Sequence, residues 1–226
     1  MSKSEQSADE ARLHSRIQAH LKVVYGERAD ELVEPVIEAM RYENAVAEPP
    51  PYQNYWDESD CWMITYATSV SKDGEVGLRT LQSFCDKYLA ESINGLHILP
   101  FYPYSSDDGF AVMDYHAVNE AAGSWEDIES IASHYRLMAD LVINHASSQS
   151  KWFQNYLSRK DPGKDYFKEA LPEDDLSMVV RPRSTPLRTE VETVDGKRWV
   201  WCTFGPDQVD FDFANPEVLL RFVEII

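Results

Sequence analysis

Three groups of polar and aromatic side chains could do chemistry, and each lies at or just after the end of a short apolar run. Carboxylates and an imidazole supply acceptors and donors for hydroxyl groups, while neighbouring aromatic rings supply apolar surfaces for the C–H faces of a sugar or another polyol. A glycine-rich phosphate loop of the GxxxxGK or GxGxxG type does not occur. The residues concerned are Tyr66, Asp107, Asp108, Phe110, Asp114, Asp140, Asn144 and His145. Taken singly, Asp107 and Asp108 are also typical of a turn.

The run from Leu137 to His145, LMADLVINH, has the pattern of a buried strand with Asp140 in its middle. An unpaired carboxylate inside an apolar strand is costly, so Asp140 needs a partner or a functional role. Strict alternation places Asp140 and Asn144 on one face of the strand and His145 on the other. We therefore expect His145 to share a site with them only if the strand ends by Asn144. A metal site is disfavoured, because no spacing of ligands supports it.

The elements that position these residues alternate between strand and helix patterns, which is typical of a parallel sheet with right-handed crossovers. Ser124, with Asp127 three residues later, predicts a capping box at the start of the second crossover helix. Functional sites in such folds collect where the strands end. The predicted strands are 61–67, 96–100 and 137–145, and the predicted helices are 78–92 and the one that begins at Ser124.

The chain divides into four predicted segments. Two amphipathic helices and a proline linker occupy residues 1–51, and the three strands with their helices occupy 52–160. Residues 161–208, here called the excursion, are rich in loops and contain one hairpin, Thr189–Val194 with Lys197–Thr203, around an Asp195-Gly196 turn. Residues 209–226 return to a helical pattern, with Asn215 as the N-cap and Pro216 at the first helical position.

Composition narrows the class of protein. The 226 residues carry a formal charge of −18, which argues against nucleic acid or an anionic membrane surface as a partner. No stretch approaches the roughly 20 apolar residues of a membrane helix, and the first twenty residues lack the apolar core of a secretory signal. The three cysteines are widely spaced, so they indicate neither disulfides nor zinc, and a reducing cytoplasm fits best.

The motifs together resemble a family. DLVINH, residues 140–145, resembles the first signature region of the alpha-amylase clan (glycoside hydrolase family 13), whose fold is a (β/α)8 TIM barrel with an excursion after strand three. The match narrows to the sucrose phosphorylase subfamily, and WDESD, SSDDGF and the N-terminal helices are most similar to its glucosylglycerate phosphorylase branch. Thr68 and Val180 depart from the sucrose phosphorylase pattern. The other motifs are ITYA, HILPFYPYSSDDGF, MDYH, GSWEDI, RPR and TFGPDQVDFDF.

The resemblance implies an α/β fold, the N-terminal portion of such a barrel with about three strands, preceded by a helical hairpin. It also implies roles for individual residues. Glucosyl contacts are expected from Tyr66, Asp107, Phe110 and His145, structural support from Asp140 and Asn144, contacts with phosphate or an acidic acceptor from Arg183 and more weakly Arg181, and the acceptor side from Gln208.

The implied activity is that of a retaining, glucosyl-transferring phosphorylase. Such an enzyme transfers the glucosyl unit of an α-glucoside to inorganic phosphate, and the expected α-glucoside is glucosylglycerate or a related compound. No cofactor is implied. The family's nucleophile and general acid are expected beyond Ile226, so this chain is expected to be inactive alone. Three of eight barrel strands are also expected to leave a sheet edge and a core face uncovered. The alternatives are a sucrose or sucrose 6-phosphate phosphorylase, an α-glucoside hydrolase, and a non-catalytic sugar-binding relative.

Overall fold

A computed structural model describes residues 3–41, 57–181 and 183–226, which form two compact units. The described parts of residues 1–52 together with Asp212–Ile226 make the first unit, and those of Gln53–Phe211 make the second. Among the described residues, none of the helices is long and apolar enough to cross a membrane. In chain order the elements are α1 (Lys3–Tyr25), α2 (Ala29–Ala39), β1 (Trp62–Thr65), α3 (Gly77–Tyr88), β2 (Gly95–Ile98), α4 (Trp125–Ala132), β3 (Arg136–Ala139), β4 (His145–Ser147), α5 (Lys151–Leu157), β5 (Arg188–Thr193), β6 (Gly196–Trp201), β7 (Gln208–Asp210) and α6 (Pro216–Ile225).

The first unit is built from α1, α2 and α6. Its core is a cluster around Leu21, Val33 and Val36, against which Leu219 and Leu220 of α6 pack. The predicted N-terminal helices and the helix that begins at Pro216 are therefore present and share apolar surface. The proline linker predicted at residues 49–51 lies outside the described residues.

The sheet of the second unit contains β1, β2 and β3 in that order, all parallel, as predicted for an α/β fold. The crossover helices bury one face, where Leu96 and Ile98 of β2 have no exposed surface. On the other face, Ile64, His97 and Met138 lie side by side in register. Ile64 is 64% exposed and Met138 is 47% exposed, so this face of the described sheet is uncovered, as expected.

The predicted continuous strand from Leu137 to His145 is wrong. β3 ends at Ala139, and a second strand, β4, begins at His145 and pairs antiparallel with β7. The apolar run covers both β3, whose side chains are mostly exposed, and β4, whose side chains are buried. Apolar patterning alone does not show a change of strand partner. The break comes before Asn144, so the condition for His145 to join the site is met.

The excursion contains the predicted hairpin, with its turn shifted by one residue. Thr193 pairs with Gly196, so the two-residue loop is Val194-Asp195 and not Asp195-Gly196. Gly196 supplies the positive φ of 110° that this hairpin requires, and Thr193 Oγ1 donates to the Gly196 carbonyl at 2.7 Å. The glycine was therefore recognised correctly as a turn signal, but it belongs to the strand that follows the turn.

A capping box begins α4, as the sequence predicts. The Ser124 backbone N–H donates to Asp127 Oδ2 at 2.9 Å, and Arg79 Nε of α3 donates to Asp127 Oδ1 at 2.7 Å. Burial opposes the ionisation of Asp127, but the bonds from Arg79 and Ser124 hold the pKa of this carboxyl below its usual range. One carboxylate thus starts α4 and ties it to α3, which fixes the two crossover helices behind the sheet.

We predict that Asp127→Ala lowers the free energy of unfolding by about 1–3 kcal/mol, because it removes a cap and leaves donors without their acceptor. The folded pKa lies below the unfolded value near 3.9, so the stabilisation is complete above about pH 5 and is lost as the pH falls through the folded pKa. Urea unfolding at pH 7 and pH 3 measures both effects. The control, Glu129→Ala, removes an exposed carboxylate of the same helix. Equal losses for the two variants at pH 7 would contradict the prediction.

Candidate functional site

A cavity of about 480 Å³ lies where the three parallel strands end. Its walls come from the segments that follow β1, β2 and β3 and from the excursion, so four separate stretches of sequence converge on it. The lining residues are Tyr66, Asp107, Asp108, Phe110, Asp140, Leu141, Val142, Ile143, Asn144, His145, Arg183, Phe204 and Gln208.

The loop after β2 presents its carboxylates through an unusual backbone. Asp107 and Asp108 have φ angles of 55° and 49°, in the left-handed region that aspartate tolerates better than most residues. Gly109 follows with φ of 108°, and a Cβ there would lie 2.6 Å from the Pro100 carbonyl oxygen. Strained backbone of this kind is found at functional sites, where the surrounding contacts hold it in place.

Asp107, Gln208 and His145 lie close together in the cavity. Gln208 Nε2 donates to Asp107 Oδ2 at 2.8 Å and lies 3.2 Å from His145 Nε2. Gln208 and His145 are almost fully buried, whereas Asp107 is exposed at the cavity surface. The structure therefore brings together three residues that the sequence assigned to one site.

The contacts of His145 fix its tautomer. Its Nε2 atom lies 2.9 Å from the Phe110 carbonyl oxygen, which only accepts hydrogen bonds, so Nε2 carries the proton. The 3.2 Å approach of Gln208 Nε2 is then a contact between two donors. Nδ1 is buried without a hydrogen-bond partner among the described residues. Burial lowers the pKa of His145, although the Phe110 carbonyl, Asp210 and Asp107 favour the charged form.

Asp140 has the partner that its position demands. Its Oδ2 atom lies 2.9 Å from His97 Nε2 on the uncovered face of the sheet. Its side chain is 26% exposed and follows the end of β3, so it is not buried in the middle of a strand as predicted. Asn144 also lines the cavity. Its backbone carbonyl accepts a hydrogen bond from Phe211 N at 2.9 Å.

Aromatic rings and one guanidinium complete the walls. Tyr66 and Phe110 line the cavity as predicted, and Phe204 lines it as well. The Phe204 ring lies 5.1 Å from the His145 ring, and the Arg183 guanidinium lies 5.7 Å from the Phe204 ring centroid. Sequence reasoning missed Phe204 as a site residue, although it lies in the TFGPDQ motif.

Arg181 is not brought to the cavity. Its guanidinium donates to the Thr203 carbonyl at 2.9 Å and to Thr185 Oγ1 at 3.3 Å, within the excursion. The two arginines of the RPR motif therefore lie in different environments, and of the two only Arg183 lines the cavity.

The arrangement suits a ligand with both hydroxyl groups and an anionic part. Carboxylate, amide and imidazole groups meet hydroxyls, aromatic walls meet C–H surfaces, and a guanidinium on one side meets an anion. Fold and site thus define an α/β protein with a polar, aromatic-walled cavity at the carboxyl ends of its parallel strands.

Comparison with known proteins identifies the family. The alpha-amylase catalytic domain matches residues 82–226, so the chain belongs to the alpha-amylase family. It is 42% identical to a glucosylglycerate phosphorylase from Allomeiothermus silvanus over 95% of this chain and 38% of that protein. It is 47% identical to one from Spirochaeta thermophila over 75% of this chain and 29% of that protein.

The solved structures agree in fold. A sucrose 6F-phosphate phosphorylase from Thermoanaerobacter thermosaccharolyticum superposes with a TM-score of 0.67 at 27% identity, over 76% of this chain and 37% of that one. The chain thus spans between about 29% and 38% of the length of these relatives. The resemblance to the sucrose phosphorylase subfamily and its glucosylglycerate branch is confirmed, as is an alpha-amylase-type fold.

We predict that His145 titrates below the ordinary histidine value near 6.5, because burial penalises its charged form. It is then neutral at pH 7 with the proton on Nε2. Imidazole ¹⁵N–¹H correlation spectra against pH measure both the midpoint and the tautomer, and the loss of one signal in His145→Gln assigns the resonance. A midpoint at or above 6.5, or a proton on Nδ1, would contradict the prediction.

Proposed function

We propose that this chain forms the glucosyl-binding part of a retaining phosphorylase that transfers glucose from glucosylglycerate to inorganic phosphate, giving α-glucose 1-phosphate. The observation that carries the proposal is the group formed by Asp107, His145 and Gln208, which offers acceptors and donors at one end of an aromatic-walled cavity. The similarity to two glucosylglycerate phosphorylases supports the same reaction.

Each side of the cavity suits a different part of the substrate. Tyr66 and Phe110 supply the apolar surface against which a sugar ring packs, and Asp107 accepts hydrogen bonds from its hydroxyls. Arg183 supplies the one guanidinium among the described cavity residues, and its planar fork matches a carboxylate or phosphate. A glycerate carboxylate and the incoming phosphate are both anions, so one arginine serves either.

The transfer itself proceeds by two displacements. A carboxylate attacks the anomeric carbon while an acid protonates the leaving glycerate oxygen, and a phosphate oxygen then displaces the carboxylate with net retention. The family pattern puts the attacking carboxylate and the acid beyond Ile226. Asp107 and Asp140 are proposed here as binding and supporting groups. Inactivity of the 226-residue polypeptide alone and a cytoplasmic location stay predictions.

A second candidate is phosphorolysis of sucrose 6F-phosphate, favoured by the structural similarity to an enzyme of that name. Its fructosyl phosphate is also an anion, so Arg183 suits it equally. Hydrolysis is less well supported, because water needs no guanidinium. The two phosphorylase candidates differ in the aglycone, glycerate or fructose phosphate, which a substrate panel separates.

The test uses the complete polypeptide encoded by the gene, with glucosylglycerate, glucosylglycerol, sucrose and sucrose 6F-phosphate as donors and release of glucose 1-phosphate as the readout. We expect glucosylglycerate to give the highest kcat/KM. Arg183→Ala should lower that value roughly ten- to a hundredfold, because a hydrogen bond to a charged group contributes about 1.5–3 kcal/mol, and should barely affect neutral glucosylglycerol as the donor at saturating phosphate.

Two matched variants control the arginine test. Arg183→Lys keeps the charge but loses the planar fork, so an intermediate loss is expected. Lys197→Ala removes a positive charge from an exposed position of the excursion and should leave kcat/KM unchanged. Release of free glucose without phosphate, or a preference for glucosylglycerol over glucosylglycerate, would contradict the proposed function.

A further inference from the structure

Asp207 immediately precedes Gln208, and its carboxylate accepts hydrogen bonds from serines of two other segments. Ser105 Oγ and Ser106 Oγ, in the loop after β2, each donate to Asp207 Oδ2 at 2.5 Å. Ser148 Oγ, just after β4, donates to Asp207 Oδ1 at 2.5 Å. Asp207 itself does not line the cavity. One carboxylate therefore joins three segments, each of which continues directly into the site.

Backbone hydrogen bonds around these serines link the same segments. Ser148 N donates to the Asp207 carbonyl at 2.9 Å, and Ser147 N donates to the Val112 carbonyl at 2.8 Å. Ser105 Oγ and Ser147 Oγ lie 2.6 Å apart. The loop after β2, the start of the segment after β4 and the end of the excursion are thus linked through both side chains and main chain.

Hydroxyl groups stabilise the charge on Asp207. Burial alone would raise the pKa of Asp207, but the hydroxyls of Ser105, Ser106 and Ser148 hold it below its usual range. The carboxylate therefore stays ionised at neutral pH and can accept from several hydroxyls at once.

The geometry connects Asp207 to the cavity residues. Ser106 is the neighbour of Asp107, and Asp207 is the neighbour of Gln208, and Asp107 and Gln208 meet at 2.8 Å. We propose, on the basis of the proposed glucosyl site, that Asp207 is a positioning residue of that site. Its carboxylate holds the serines beside Asp107 to the strand that carries Gln208. It makes no contact with the substrate and acts through Gln208, whose hydrogen bond to Asp107 depends on the serine contacts of Asp207.

This role makes a prediction that a merely stabilising residue would not satisfy. If Asp207 acts through Gln208, its removal costs little once Gln208 is already absent, because residues of one network are not additive. A residue that only stabilises the fold would lower activity by the same factor in both backgrounds, or would change the melting temperature and leave kcat/KM unchanged.

The experiment is a double-mutant cycle in the complete gene product, with Asp207→Asn and Asp207→Ala in the wild-type and Gln208→Ala backgrounds. We expect kcat/KM for phosphorolysis of glucosylglycerate to fall about ten- to a hundredfold for Asp207→Ala in the wild-type background, since misplacement by about 1 Å can cost that much. Asp207→Asn, which keeps one acceptor oxygen, should lose less. In the Gln208→Ala background either change should cost less than about threefold.

Hydrogen exchange gives a readout that does not depend on activity. Amide exchange of residues 105–111 should rise in both Asp207 variants and not in Glu190→Ala, which removes an exposed carboxylate of the same excursion. Equal fold-losses in the two backgrounds, or unchanged exchange at residues 105–111, would overturn the role of Asp207. A wild-type protein without phosphorolysis would instead refute the proposed function, while the exchange result would still decide the positioning role.

Discussion

The antiparallel pairing of β4 with β7 is the constraint on which the site depends. It sets His145 opposite Asp210 and Ser147 opposite Gln208, and it brings Gln208 close to His145, which lies 63 residues earlier in the chain. Without this pairing, no strand contact would hold Gln208 beside His145. The excursion is thus a long connection whose return strand completes the cavity begun by the parallel sheet, in keeping with the placement of sites at strand ends.

The carboxylates in and beside the cavity have different neutral or weakly basic partners. Asp140 pairs with His97, Asp107 accepts from Gln208, and Asp207 accepts from serine hydroxyls. Arg183 also lines the cavity, and its guanidinium lies 5.7 Å from the Phe204 ring centroid. In a chain of charge −18, carboxylates and a guanidinium thus line the same cavity.

The sequence predicted much of the fold, because short apolar strands and capped helices carry local signals. The parallel sheet, the capping box of Asp127 and the hairpin near Gly196 were all found near their predicted places. The change of strand partner at Asn144 was not predictable, since it depends on pairing with distant β7. Phe204 and Asp207 were missed for the same reason, because the contacts of a loop residue depend on the folded chain and not on the local sequence.

The most direct test of the account is a crystal structure of the complete gene product with glucose bound. The account predicts that hydroxyls of the sugar lie within hydrogen-bond distance of Asp107, His145 and Gln208, with the ring against Tyr66 and Phe110. Glucose bound elsewhere, or bound here without contacting any of the three polar residues, would contradict it.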